Sequence, residues 1–236
     1  KFRSEPIAPE VLQDMLEAAS RASTCGNMQL YSLIVTQSRE LREALAPCHF
    51  NQPMVTQAPC VITVCADVHR FSMWCEQRDA EPCYDNFAWF LNGVTDALLA
   101  AQNLCVEAEA HGLGICYLGT TIYTAEEIAR ILDLPKGVIP VTTIVVGHPD
   151  ESPELTDRLP LDAVVHCEKY HHYTSSEIDE LWAEKETSEE TRRLLEENGL
   201  PNLAQIFTRN RYRAEDNLAI SRNYFALLKK QGFFNN

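Results

Sequence analysis

The residues of this chain that could do chemistry are hydrogen-bonding side chains in short polar loops, and nucleophiles and bases are not arranged for work. No Ser-His-Asp, Cys-His or paired-carboxylate arrangement stands out, and the seven histidines, among them His148 beside Pro149 and the pair His171-His172, read as structural or exposed groups. The nine cysteines, at 25, 48, 60, 65, 75, 83, 105, 116 and 167, include no C-x-x-C pair. Most lie in apolar runs such as Cys60-Val-Ile-Thr-Val-Cys65, the pattern of reduced thiols in a reducing compartment. Zinc wants paired ligands at short spacing, which Cys167 with His171-His172 imitates only loosely, so no metal is expected. The polar groups that remain are Ser23-Thr24-Cys25-Gly26-Asn27, the amide of Gln52, the stretch Tyr117-Leu118-Gly119-Thr120, Arg158, and a basic island, Thr208-Arg209-Asn210-Arg211-Tyr212-Arg213. Their chemistry is recognition by hydrogen bond and charge, and no catalytic side chain is named. On residue type alone they read as turn chemistry, a solvated loop amide, a strand-end turn, a surface ion-pair partner and a solvated helix start.

The elements that must hold these loops follow from periodicity. Pro9 and the apolar spacing of Val11, Leu12, Met15, Leu16 and Ala19 predict an amphipathic helix ending near Arg21. A strand is expected over 30–35, a short helix over 39–46, and a second strand over 60–66 that is apolar almost throughout and therefore covered by helices on both faces. Residues 84–110 carry the longest helical pattern, with Phe87, Phe90, Leu91, Val94, Leu98, Ala101, Leu104, Cys105 and Ala108 on a wide stripe, and His111-Gly112-Leu113-Gly114 stops it. A strand over 115–118, a helix over 125–132 and a strand over 138–146 complete the core. After Pro149 the composition turns charged, with helical stretches expected over 175–198 and 214–231. Their apolar residues, Leu181, Trp182, Leu194, Leu195, Tyr224, Phe225, Leu228, Phe233 and Phe234, need a surface to pack on. Alternating helices and strands predict an α+β (α/β layered) fold. The expected organisation is a core over 1–160 and a helical extension over 161–236, packed on the core or on a second subunit within a single domain overall.

Composition narrows the classes of partner. A chain of 236 residues that is 45% hydrophobic can bury one sizeable core without disulfides or metals. Its formal charge of -14, from 34 acidic and 20 basic residues, disfavours nucleic acid and anionic membrane surfaces. No run approaches the roughly twenty apolar residues of a membrane span, and Lys1 to Pro6 are too charged for a secretory signal. A cytoplasmic location is expected. The first residue is Lys1, so a segment upstream of it is expected as well.

Read with its loops, this order of segments resembles the FMN-dependent nitroreductase family, particularly its longer nitro- and flavin-reductases with an extended C-terminal helical region. Lys1-Phe2-Arg3-Ser4-Glu5-Pro6-Ile7 is similar to the family stretch R-K-F-x-x-E-P-I, and Ala18 to Gln29 to the signature A-x-R-A-P-S-x-x-N-x-Q. Asp96-Ala-Leu-Leu-Ala-Ala-Gln-Asn103, Gly112-Leu113-Gly114, Tyr117-Leu118-Gly119 and Val146-Gly147-His148-Pro149 follow in the family's order. Each is weak alone, and their order over about 150 residues carries the resemblance.

The resemblance implies a central mixed β-sheet flanked by helices, a homodimer, FMN as cofactor, and NADPH or NADH as electron donor. Electron pairs would pass in alternating (ping-pong) fashion to nitroaromatics, quinones or flavins. Alternatives on the same scaffold are a degenerate flavin-binding protein without turnover, or a reductive dehalogenase or flavin-modifying enzyme. By resemblance, Ser23, Thr24 and Asn27 approach the flavin across the subunit boundary, Gln52 contacts the ring, and Tyr117, Leu118, Gly119 and Thr120 pass its reactive edge, glycine permitting close approach. Arg158 is the cation expected for the phosphate, where Thr156 stands in place of the family's Lys, and an Arg-rich segment before the position of Lys1 is expected to complete that site. Arg209 and Arg211 are expected to meet the phosphates of the nicotinamide donor.

Overall fold

In chain order, the apolar patterns become α1 (Pro9–Ser20), β1 (Tyr31–Thr36), α2 (Arg39–Leu45), α3 (Pro53–Gln57), β2 (Cys60–Asp67), α4 (His69–Glu76), α5 (Phe87–Ala110), β3 (Gly114–Leu118), α6 (Ala125–Ile131) and β4 (Val138–Gly147). These come from a computed structural model that describes residues 1–234. The four strands form one sheet in the order β1-β2-β4-β3. All three pairings are antiparallel, which corrects the expectation of a mixed sheet while leaving the α+β class in place.

Helix length explains the correction. At about 1.5 Å per residue, a seven-residue helix such as α2 or α6 covers roughly 10 Å, about half the length of a six-residue strand such as β1. No single helix in the β1–β2 or β3–β4 connection can run back along the strand it follows, and each connection ends in an antiparallel neighbour. The 24-residue α5 is long enough for a crossover, and it does bring β3 into the same direction as β2. But β4 inserts between those two strands, so no parallel pair forms.

All eight positions of β2 are buried, as its unbroken apolar run predicts. On one face Cys60, Ile62 and Val64 pack with Met15 and Ala19 of α1 and with Ala97, Ala101, Leu104 and Ala108 of α5. On the other, Val61 joins Val145, Val55, Ala58 and Leu118. Gly93 lets α5 lie close to the sheet: a Cβ there would stand 3.1 Å from Ala66 Cβ and 3.2 Å from the Leu30 carbonyl. The helix begins at Phe87, three residues after the pattern starts, because the Asn86 side chain accepts from the Trp89 amide and caps it. Tyr84 instead packs edge-on against Trp89, with ring centroids 4.7 Å apart.

The chain divides into two compact units, one comprising Lys1–Ser152 and the chain end from Ile220, the other Pro153–Ala219. In the first, Leu227, Leu228 and Phe233 are buried with Leu30, Ala66, Phe90 and Ile139. The second holds α7 (Ser175–Thr187), α8 (Glu189–Asn198), the short α9 (Leu203–Ile206), a π-helical turn (Phe207–Arg211) and the first residues of α10 (Ala214–Lys230). The stretch read as one helix over 175–198 is two, because Ser188 leaves helical geometry and its hydroxyl accepts from the Thr191 amide. Among the described residues no helix is long and apolar enough to cross a membrane.

Candidate functional site

The polar loop after α1 is held by a residue far away in sequence. Asp96, 1% exposed on α5, accepts the Cys25 amide on Oδ1 at 2.8 Å and the Leu30 amide on Oδ2 at 3.0 Å. One buried carboxylate thus ties both ends of the loop. Between those ties Gly26, Asn27 and Gln29 all have positive φ, at 55°, 56° and 50°, a conformation that Gly and Asn adopt at least cost. The Gln29 amide donates to Asn27 Oδ1 at 2.8 Å. Arg70 of α4 donates to the Gln29 and Tyr31 carbonyls. Ser23 and Asn27 stay exposed, and Thr24 is half-buried.

A second cluster gathers around Gln52. After the 3₁₀ turn Ala46–His49 the backbone takes two left-handed residues, Phe50 and Asn51, and delivers half-buried Gln52 to the start of α3. The turn at the end of β3, Gly119–Tyr123, meets this segment at three points. His49 Nδ1 lies 2.8 Å from Thr120 Oγ1, the Thr124 hydroxyl donates to the Cys48 carbonyl at 2.7 Å, and the Phe50 and Tyr123 rings are 6.1 Å apart. The Thr121 hydroxyl, bonded to the Leu118 carbonyl and to Thr143 Oγ1, fixes the same turn on β4.

Of the four residues singled out here, Leu118 and Thr120 are buried and Tyr117 and Gly119 face outward. A Cβ on Gly119 would meet nothing within 4 Å, so its outer side is open. Burial, with a hydrogen bond to Cys105, raises the Tyr117 phenol above its ordinary value. Burial lowers His49 to about 4, so this imidazole is neutral at physiological pH.

The structure therefore joins the segment leading into Gln52 to the turn after β3, but not to residues 23–27. The latter lead into β1 at one edge of the sheet, while residues 117–120 end β3 at the other. Three strand spacings, about 14 Å, separate those edges.

Arg158, Arg209 and Arg211 belong to the second unit. The Arg158 guanidinium is turned onto its own loop, donating to Thr156 Oγ1 at 2.6 Å and the Asp157 carbonyl at 2.8 Å. Arg211 sits over the Phe207 ring at 5.3 Å, that ring is stacked with Tyr212, and Arg209 is exposed. The basic island ends one helix and leads into the next: Thr208 to Arg211 lie in a π-helical turn, and the Arg213 carbonyl accepts the Asn217 amide at the start of α10. Among the described residues no group of three or more His, Cys, Asp or Glu is placed to hold a metal ion.

Two residues that organise these loops, Arg70 and His49, were not singled out from the sequence, and Asp96 entered only as the first residue of a family-like stretch, with no part in holding the loop. Asp96 did leave a signal, as a lone acid on the buried face of the most apolar helix.

The model of the nitroreductase family matches residues 1–87 and 46–148. An NADPH-dependent oxidoreductase of Staphylococcus aureus is 35% identical over 175 residues, 72% of this chain and 69% of that protein. A Bacteroides fragilis crystal structure described as an oxidoreductase is 48% identical, covers 100% of this chain and 96% of its own, and superposes with a TM-score of 0.98. The NADPH:FMN oxidoreductase of Vibrio harveyi, solved with NAD+, is 25% identical, covers 100% and 94%, and has a TM-score of 0.81.

Proposed function

The chain belongs to the nitroreductase family, and on that premise we propose that this NAD(P)H-dependent, nitroreductase-like oxidoreductase works as an FMN-holding homodimer that reduces nitroaromatics, quinones or free flavin. FMN, when bound, supplies a two-electron relay, reduced by the nicotinamide and reoxidised by the acceptor in alternation. The description of one relative as an NADPH-dependent oxidoreductase supports the donor, and that of another as an NADPH:FMN oxidoreductase supports the flavin.

One observation carries the dimeric part of the reading: the two halves of the candidate site leave opposite edges of one sheet. A two-fold pair solves this, because an isologous interface sets residue i of one copy against residue j of the other and the reverse. Residues 23–27 of one protomer then complete the cluster of Gln52 and Gly119 in its partner. The outward face of α5 supplies the surface. Phe87, Leu91, Leu98, Leu99 and Val106 stand 37 to 56% exposed along it, a mostly apolar face, interrupted by Thr95 and Gln102, of the kind that subunit interfaces cover.

The residues fit the ring end of FMN. Gln52 offers an amide that both donates and accepts, Gly119 an open backbone face, and Ser23, Thr24 and Asn27 small polar groups. Arg158, whose guanidinium donates to Thr156 and Asp157, is the cation this reading assigns to the phosphate. Arg209 and Arg211 are the cations this reading assigns to the donor's phosphates; Arg211 stacks over Phe207. All nine cysteines are free, which supports a reducing, cytoplasmic setting.

The test is direct. The full-length natural protein is incubated with FMN, desalted, and scanned for flavin absorbance, and NADPH consumption is followed with a nitroaromatic and a quinone. Retained flavin and acceptor-dependent NADPH oxidation are expected. Protein that takes up no flavin refutes the proposal.

A further inference from the structure

We propose that His49 is a positioning residue that locks the Gln52 loop to the Gly119 turn through Thr120, so that the two segments facing the flavin hold one spacing. The inference rests on the reading above, in which Gln52 and Gly119 approach the ring. His49 lies three residues before Gln52, and Thr120 directly follows Gly119. Their 2.8 Å hydrogen bond is buried and joins positions 71 apart. His49 is 0% exposed and Thr120 is 8% exposed, so water does not compete for the bond.

His49 Nε2 is buried without a protein hydrogen-bond partner, so the polar contact of the ring is the bond between Nδ1 and the Thr120 hydroxyl, whichever of the two carries the shared proton. The neutral ring that burial enforces suits this arrangement, since a charged imidazolium would put a second N–H where nothing accepts it. The other two links across the seam, Thr124 to Cys48 and Phe50 to Tyr123, lie on residues that flank the histidine. The His49 side chain ties the residue next to Gly119 directly to the segment that carries Gln52, beside the Thr124 hydroxyl, which bonds the Cys48 and Thr120 carbonyls.

The experiment uses the full chain loaded with FMN. Thr120→Val keeps the shape and removes the hydroxyl, Thr120→Ser keeps it, and His49→Leu and His49→Asn remove and partly replace the polar group of the ring. Flavin affinity, the visible flavin band and the midpoint potential are measured beside thermal unfolding. We expect Thr120→Val and His49→Leu each to weaken FMN binding about tenfold, the value of one lost hydrogen bond, and to shift band and potential. The double variant should be no worse than either single one, and the Ser and Asn variants should recover most of the loss. Wild-type protein that binds flavin, beside Val and Leu variants that differ from it only in stability, overturns the inference and leaves the functional reading intact. Wild-type protein that takes up no flavin overturns both.

Discussion

Replacing Asp96 with Asn is the sharpest test of how the loop over residues 23–27 is held. The carboxylate accepts two backbone amides, at 2.8 and 3.0 Å, inside a helix face that water does not reach. Asparagine has nearly the same shape but one acceptor oxygen, so whichever way it turns, its NH2 confronts one of the two amides. An amide left buried and unpaired costs about 1–3 kcal/mol. The surviving bond loses its charge assistance, a further loss on the order of 1 kcal/mol. Against this, a neutral side chain is cheaper to bury than an ion, which offsets part of the sum. The net expectation is about 2 kcal/mol, or roughly 4–8 °C in melting temperature for a chain of this size. Urea and thermal unfolding measure it, and FMN binding reports whether the loop has moved. A variant within about 0.5 kcal/mol of wild type, the range of an ordinary surface substitution, with unchanged FMN affinity, would refute the claim that Asp96 anchors the loop.

Three further outcomes follow from the same structure. His49 is neutral when folded down to about 4 but takes a proton near 6.5 when unfolded, so its burial costs stability only in acid. Unfolding free energy should fall as pH drops from 6.5 towards 4 by up to about 3 kcal/mol and not further below, and His49→Leu should flatten that part of the denaturation profile. Substituting Asp for Leu91 and Leu98 on the outer face of α5 should shift the protein from dimer to monomer in sedimentation and abolish flavin retention; a folded, flavin-retaining monomer would contradict the shared site. Gly147→Ala should destabilise by about 1–3 kcal/mol, because the added methyl would stand 2.5 Å from Pro59 Cδ, and chemical denaturation decides it.

What could be read from the sequence, and what could not, divides along the range of the forces involved. The stripe of α5, the unbroken apolar run of β2 and the glycines after residue 110 each declare themselves within a few positions, because burial and helix termination act locally. Strand direction does not, since it depends on whether the helices between strands can span the sheet and on where the next strand inserts. Repeating helices and strands thus look alike for the parallel and antiparallel cases until β4 is seen lying between β2 and β3. The site shows the same split. Gly26, Asn27 and Gly119 are visible as turn formers, yet the bonds that give those turns their shape, Asp96 to Cys25 and His49 to Thr120, each join residues 71 apart. The roles of Asp96 and His49 cannot be read from the sequence, because their partners are backbone amides and a hydroxyl, groups that carry no pattern of their own. In the proposed dimer the distance between residues 23–27 and Gly119 has the same origin: a site completed by a second copy needs nothing within one chain to bring its halves together.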